Sequence, residues 1–131
     1  MRCLRLPLAA ALAAAGLSAA GALAGEYGPF KEQETRLGEV LATAHGMTLY
    51  TYDKDQPGVS SCAGQCAERW PPVKASAGDQ PSGEFTIIKR ADSTLQWAYE
   101  GKPLYGYDDD MKAGDVEGDG KGGVWHVVKA D

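Results

Sequence analysis

A mainly β fold is predicted, a small antiparallel sandwich or open barrel built from two pseudo-repeats, with one short helix at a cysteine pair. Three observations predict it. Residues 46–55 (GMTLYTYDKD) return 55 positions later as residues 101–110 (GKPLYGYDDD). Gly46/Gly101, Leu49/Leu104, Tyr50/Tyr105, Tyr52/Tyr107, Asp53/Asp108 and Asp55/Asp110 stay in register, and the same offset carries Trp70 onto Trp125 and Val73 onto Val128. A recurrence of this kind marks a duplicated unit. Second, apolar and polar residues alternate with a period of two, as in strands, and not with the 3.6 of a helix. Third, turn residues punctuate the chain at short intervals and no long amphipathic helix interrupts them, which favours antiparallel pairing.

The N-terminus reads as a processing segment. Arg2 and Arg5 form a basic n-region, Leu6 to Ala24 is a small-residue apolar run, and Ala22-Leu23-Ala24 matches the small-residue cleavage preference. Residues 1–24 are therefore expected to be a signal peptide, 25–35 a leader segment, and 36–131 one β-domain of two repeats, about 36–80 and 84–131. A retained anchor is the rival reading, but the run is mostly Ala and Gly and ends at the cleavage site. Loss of Arg2 and Arg5 lowers Lys+Arg from 13 to 11 against 18 Asp+Glu, so net charge moves from −5 to −7. No basic stripe invites nucleic acid or an anionic membrane.

Residues 25–35 (GEYGPFKEQET) are polar with a Gly-Pro break, a leader or an edge segment. From Arg36 the pattern is strand-like: Leu37, Glu39, Leu41 and Thr43 alternate with Gly38, Val40 and Ala42. His45-Gly46 is read as a two-residue hairpin turn, and Met47 to Asp53 as the returning strand. In that strand Tyr50 and Tyr52 share one face while Leu49 and Thr51 share the other. DKDQPGVSS (53–61) is turn chemistry, with Ser60 or Ser61 expected to cap a short helix that Trp70-Pro71-Pro72 ends. Residues 74–84 form a polar loop between the repeats. Phe85–Lys89 and Thr94–Tyr99 are strands, the second set by the offset of 55 against Glu39–Ala44. Glu100-Gly101 is a turn, Pro103–Asp108 the second motif strand with an edge proline, and Val124–Lys129 the closing strand beyond an acidic, Gly-rich loop.

Removal of the leader leaves two cysteines, Cys62 and Cys66. An even pair in an exported chain indicates one disulfide. If Ser61–Arg69 turns helically, i and i+4 share a face with Cα atoms about 6 Å apart, within bridging range. The competing reading is a redox dithiol, disfavoured because the spacing is C-x3-C without a βαβ pattern.

LYTYDKD and LYGYDDD both satisfy Y-x-[FWY]-x-x-D, with Tyr50/Tyr52/Asp55 and Tyr105/Tyr107/Asp110 in the defining positions. With SCAGQCAERWPP, QWAYEGKPLY and GDGKGGVWHV, the chain over residues 37–129 resembles the bacterial secreted-repeat family of predicted lipoproteins. The resemblance implies export and tandem repeats, and no general activity. It departs in one respect: there is no lipobox Cys, since position 25 is Gly and Cys3 lies in the n-region. No stable membrane anchor is expected after cleavage.

Three groups of side chains are candidates for function. Tyr50, Tyr52, Tyr105, Tyr107, Trp70, Trp97 and Trp125 either line a ligand groove between the repeats or form the core, each tyrosine bonded to a motif Asp. Asp115, Glu117 and Asp119 fall at positions 1, 3 and 5 of a calcium-type loop with Gly120 at 6. His126 stands where the bidentate Glu of position 12 is needed, so an EF-hand is excluded and only a looser Ca²⁺ site remains. His45-x-Met47, with Met111 and His126, is a soft-donor set suited to copper. No nucleophile elbow, phosphate loop or HExxH is found, and the paired carboxylates lie in turns. The expectation is a periplasmic or secreted, non-enzymatic binding or structural module without a required cofactor. Its partner would be an envelope protein or small ligand; the alternative is an envelope copper or calcium protein.

Overall fold

A computed structural model describes residues 27–130; the expected signal peptide lies outside them. Eight strands are named β1 (Lys31–Thr35), β2 (Gly38–Ala42), β3 (Tyr50–Tyr52), β4 (Lys74–Ala75), β5 (Phe85–Lys89), β6 (Leu95–Tyr99), β7 (Lys102–Pro103) and β8 (Trp125–Val127). They pair antiparallel in small sheets, β1 with β2, β3 with β8, and β4-β6-β5 with β7 on β6, and close no barrel. Among the described residues one α-helix, α1 (Gln65–Arg69), sits beside the cysteine pair. The polar segment before Arg36 supplies edge strand β1, paired along its length with β2.

The two halves exchange their terminal strands. β8, at the end of the second half, pairs with β3 of the first, while β4 and residues 71–73 pair with the second. Around Leu41 three backbone bonds form a closed ring: Leu41 N–H to Val128 O (2.8 Å), Val128 N–H to Leu49 O (3.1 Å), Leu49 N–H to Leu41 O (3.1 Å). The second half repeats the ring with Trp97, Val73 and Leu104, at 2.9, 2.9 and 3.0 Å. Tyr50 and Tyr105, equivalent residues, donate to each other's carbonyls at 2.8 and 2.9 Å. An approximate twofold axis therefore passes between them.

Leu41 corresponds to Trp97, so the offset across β2 and β6 is 56 and not the expected 55. The cause is the turn. His45-Gly46 belongs to a three-residue hairpin loop, with Thr43 N–H bonded to Met47 O, Gly46 N–H to Thr43 O, and Gly46 at φ 88°. A type I turn followed by one left-handed residue gives this loop. Glu100-Gly101 is a two-residue loop with both φ positive, as a type I′ turn requires. The extra residue in the first loop restores the 55-residue register beyond it.

Alternation along the strands sends side chains into two cores. Tyr50 and Tyr105 enter one, with Val40, Trp70, Tyr107, Val116, Trp125 and Val127. Leu49 and Leu104, one residue earlier, enter the other with Leu41, Phe85 and Trp97. This is the face assignment that the period of two predicts.

Four local expectations are corrected. Helix α1 has no side-chain cap and begins after Gly64, whose φ of 61° suits glycine. Ser61 instead bonds Asp55 Oδ1 through both N–H and Oγ, and Ser60 joins a buried network. Cys62 precedes the helix, so the Cys62–Cys66 disulfide, with Cα atoms 5.3 Å apart, ties the incoming loop to α1 and does not bridge two helical turns. The second motif segment has strand pairing at Lys102–Pro103 and two bridges at Tyr105, to Tyr50 and Pro72, and the polar loop starts after β4. Replacing both cysteines by serine should lower stability by about 2 kcal/mol, the chain-entropy value for so short a loop, as read from urea unfolding.

Candidate functional site

The motif residues meet across the twofold. Tyr50 Oη–H donates to Asp110 Oδ2 at 2.7 Å, and Tyr105 Oη–H to Asp55 Oδ2 at 2.7 Å. The first tyrosine of each motif thus takes the other repeat's aspartate, whereas the second does not bond a motif Asp: Tyr107 Oη–H reaches Asp109 of its own repeat at 3.4 Å.

The surroundings of the two pairs differ. Asp110 is buried and its second oxygen accepts the Glu117 N–H at 2.9 Å, while the Gly118 N–H donates to Tyr50 Oη at 3.1 Å. Burial raises the Asp110 pKa and, more strongly, that of Tyr50. In the other pair, burial pushes Tyr105 up to about 12. There a chain of donors runs from Arg90 Nη1 to Ser60 Oγ (2.7 Å), from Ser60 to Tyr105 Oη (2.6 Å), and on to Asp55. Arg90 is 8% exposed and also bonds Gln96 Oε1 and the Cys62 carbonyl. Its buried charge thus reaches a carboxylate through two hydroxyls, an arrangement that partly offsets the desolvation cost. Neither Arg90 nor Ser60 carries a sequence signal beyond a lone charge and a turn serine.

The raised Asp110 pKa has a stability consequence with a definite sign. A carboxyl whose folded pKa exceeds its unfolded one binds more protons when folded, so its contribution falls as pH rises between the two values. Wild type should therefore gain stability relative to Asp110→Asn when pH is lowered from 7 toward 4. Urea unfolding at the two pH values measures the difference.

The aromatic residues pack as core, and Trp70, Tyr107 and Trp125 also line an open pocket of about 300 Å³ with Arg69 and Lys121. Tyr52, Trp125, Trp70 and Tyr107 stack in that order, with centroids 4.1, 3.8 and 4.2 Å apart and the two indoles within 1° of parallel. Tyr50 and Tyr105 close the stack edge-on, against Trp70 and Trp125 respectively. Trp97 belongs to the opposite core, edge-on to Phe30 and Phe85.

Three of the metal candidates, Asp115, Asp119 and His126, are held by other bonds. Asp115 accepts the N–H groups of Met111 and Lys112 and pairs with Lys112 Nζ; the Met111 amide leads the effects that lower its pKa. Asp119 accepts the Val127 N–H, and Glu117 points to solvent. His126 Nε2 lies 2.8 Å from Asp53 Oδ2 on β8, whereas His45 sits in the exposed first hairpin loop and Met47 is half-buried beyond it. Met111 is exposed. Among the described residues no group of three or more His, Cys, Asp or Glu is arranged to hold a metal ion.

A cleft opens on the surface beside the second hairpin turn. Its two lobes, of about 190 and 280 Å³, share Thr51, Asp53, Glu100 and Lys102. Tyr52, Pro57 and Pro103 wall the first lobe, and His126 and Lys129 line the second. The cleft carries both signs of charge and an apolar side, which suits binding of a small polar molecule.

A family model described as a secreted repeat of unknown function matches the sequence twice, over residues 32–74 and 86–129. No curated protein and no solved structure matches at a significant level. Each matched segment ends in the stretch that pairs with the other half.

Proposed function

The chain belongs to the family of secreted repeats of unknown function, and on that premise we propose that it is an exported, non-catalytic module of the bacterial envelope, periplasmic or secreted. It binds a small ligand or an envelope protein without transforming it. The observation that carries this reading is the crossed bonding of the motif. Asp55 and Asp110 each accept a tyrosine hydroxyl on one oxygen and a backbone N–H on the other, so neither motif carboxylate is free for proton transfer. The motif aromatics are stacked on one another, which supports an architectural role, and the cleft offers a place for a ligand. The net negative charge disfavours nucleic acid as a partner.

Native mass spectrometry of residues 25–131 with a pool of small envelope metabolites tests the reading. A 1:1 complex that releases its ligand with unchanged mass is expected. Chemical conversion of a pool component would overturn it, as would stoichiometric uptake of Cu⁺ or Ca²⁺ in place of any organic ligand.

A further inference from the structure

We infer that the cleft beside the Glu100-Gly101 turn binds a small zwitterion, from a free amino acid to a tripeptide with unblocked ends. The inference rests on the binding-module reading and gives it a ligand class. The twofold provides an internal comparison. Both hairpin turns receive the same backbone bond from a facing loop, Gly114 N–H to Gly46 O at 3.1 Å and Gly58 N–H to Gly101 O at 2.8 Å. Over the first turn the space is filled: a methyl on Gly46 would lie 2.6 Å from Ala113 Cβ and 2.8 Å from Gln33 Oε1. Over the second, a methyl on Gly101 or Gly58 would meet nothing within 4 Å. Side chains from both halves, Ala113 and Gln33, close this space over the first turn, and over the second it is left open.

The charged groups around the opening are of two kinds. Asp53 is held by His126, and Asp55 by Ser61 and Tyr105. The side chains of Glu100 and Lys102 have no hydrogen bond or ion pair among the described residues, yet both line both lobes. Glu100 also stands at φ 53°, where a type I′ turn ordinarily takes Asn, Asp or Gly. Glutamate at a backbone position that disfavours it suits a side chain retained for contact and not for the turn. An unpaired carboxylate and an unpaired ammonium two residues apart, beside Tyr52 and two prolines, complement a ligand bearing both charges on a short apolar body. Its ammonium would meet Glu100 and its carboxylate Lys102.

Titration of the ¹⁵N-labelled protein with trialanine, free amino acids, and N-acetylated, C-amidated trialanine tests this. Shifts confined to residues 51–57, 99–103 and 126–129 are expected, with affinity for the doubly blocked peptide at least tenfold lower. Glu100→Gln should abolish the advantage of a free amine, and Lys102→Met that of a free carboxylate; both positions are exposed, so the fold is retained. Equal binding of blocked and free peptide, indifference of both variants, or shifts elsewhere would overturn the inference. A 1:1 complex with another metabolite, together with no response to trialanine or amino acids, overturns this ligand class and leaves the binding module standing. The absence of any complex overturns both.

Discussion

Fragments 27–80 and 81–130, prepared separately, should each remain unfolded and should fold only on mixing, as a 1:1 heterodimer. The first fragment keeps β1 paired with β2 and the second keeps β5 and β7 on β6, but each loses a strand supplied by the other: β3 without β8, β6 without β4. The closed bonding rings break as well, since Val128 serves Leu41 and Leu49 while Val73 serves Trp97 and Leu104. In the stack Tyr52–Trp125–Trp70–Tyr107 the two halves alternate, so every stacked contact is lost on separation. A sheet of two or three such short strands without its packing partner is marginal in water, and a chain of roughly 50 residues buries too small a share of its surface to be more than marginally stable. Near-UV circular dichroism and size-exclusion chromatography of each fragment and of the mixture decide the matter. A folded monomer from either fragment would refute the exchange.

The second large effect is at the centre of the stack. Trp125→Ala should destabilise by about 3–5 kcal/mol, the range for truncating a buried tryptophan. Trp70→Ala should cost a similar amount, because the two indoles are equivalent and are 7% and 6% exposed. Against a total of about 5–15 kcal/mol for a domain of this size, either loss is severe. At about 4–8 °C per kcal/mol, it should appear as a fall in Tm of roughly 12–40 °C. The double variant should lose less than the sum, since the two changes remove one shared contact. Trp70 is also clamped from outside, where a methyl on Gly118 would come within 2.7 Å of its ring. Urea unfolding of the three variants gives the values; a loss under about 1 kcal/mol for Trp125→Ala would show that stacking contributes little beyond surface cover.

Much of the fold is legible in the residues. Period-two alternation separates Leu49 from Tyr50 and Leu104 from Tyr105, and the structure sends them to opposite cores. Glu100-Gly101 marks a tight turn, Trp70-Pro71-Pro72 ends a short helix, and two cysteines four residues apart form a bridge. The turn at His45-Gly46 was legible in position but not in length. Two-residue and three-residue hairpin loops accept overlapping residues, and the choice is made by the strand register they must connect.

By itself the sequence determined the duplication, the strand faces and the positions of the turns, because each of these follows from local sterics and from side-chain periodicity. Which half supplies each partner was decided by tertiary structure alone. Tyr50 has the same spacing to Asp55 as Tyr105 has to Asp110, and local geometry does not say whether a hydroxyl turns to its own aspartate or to the other copy's. Burying both aromatic faces at once exchanges the end strands, and that exchange crosses the motif and draws Arg90 inside. It also leaves one hairpin turn covered and the other open.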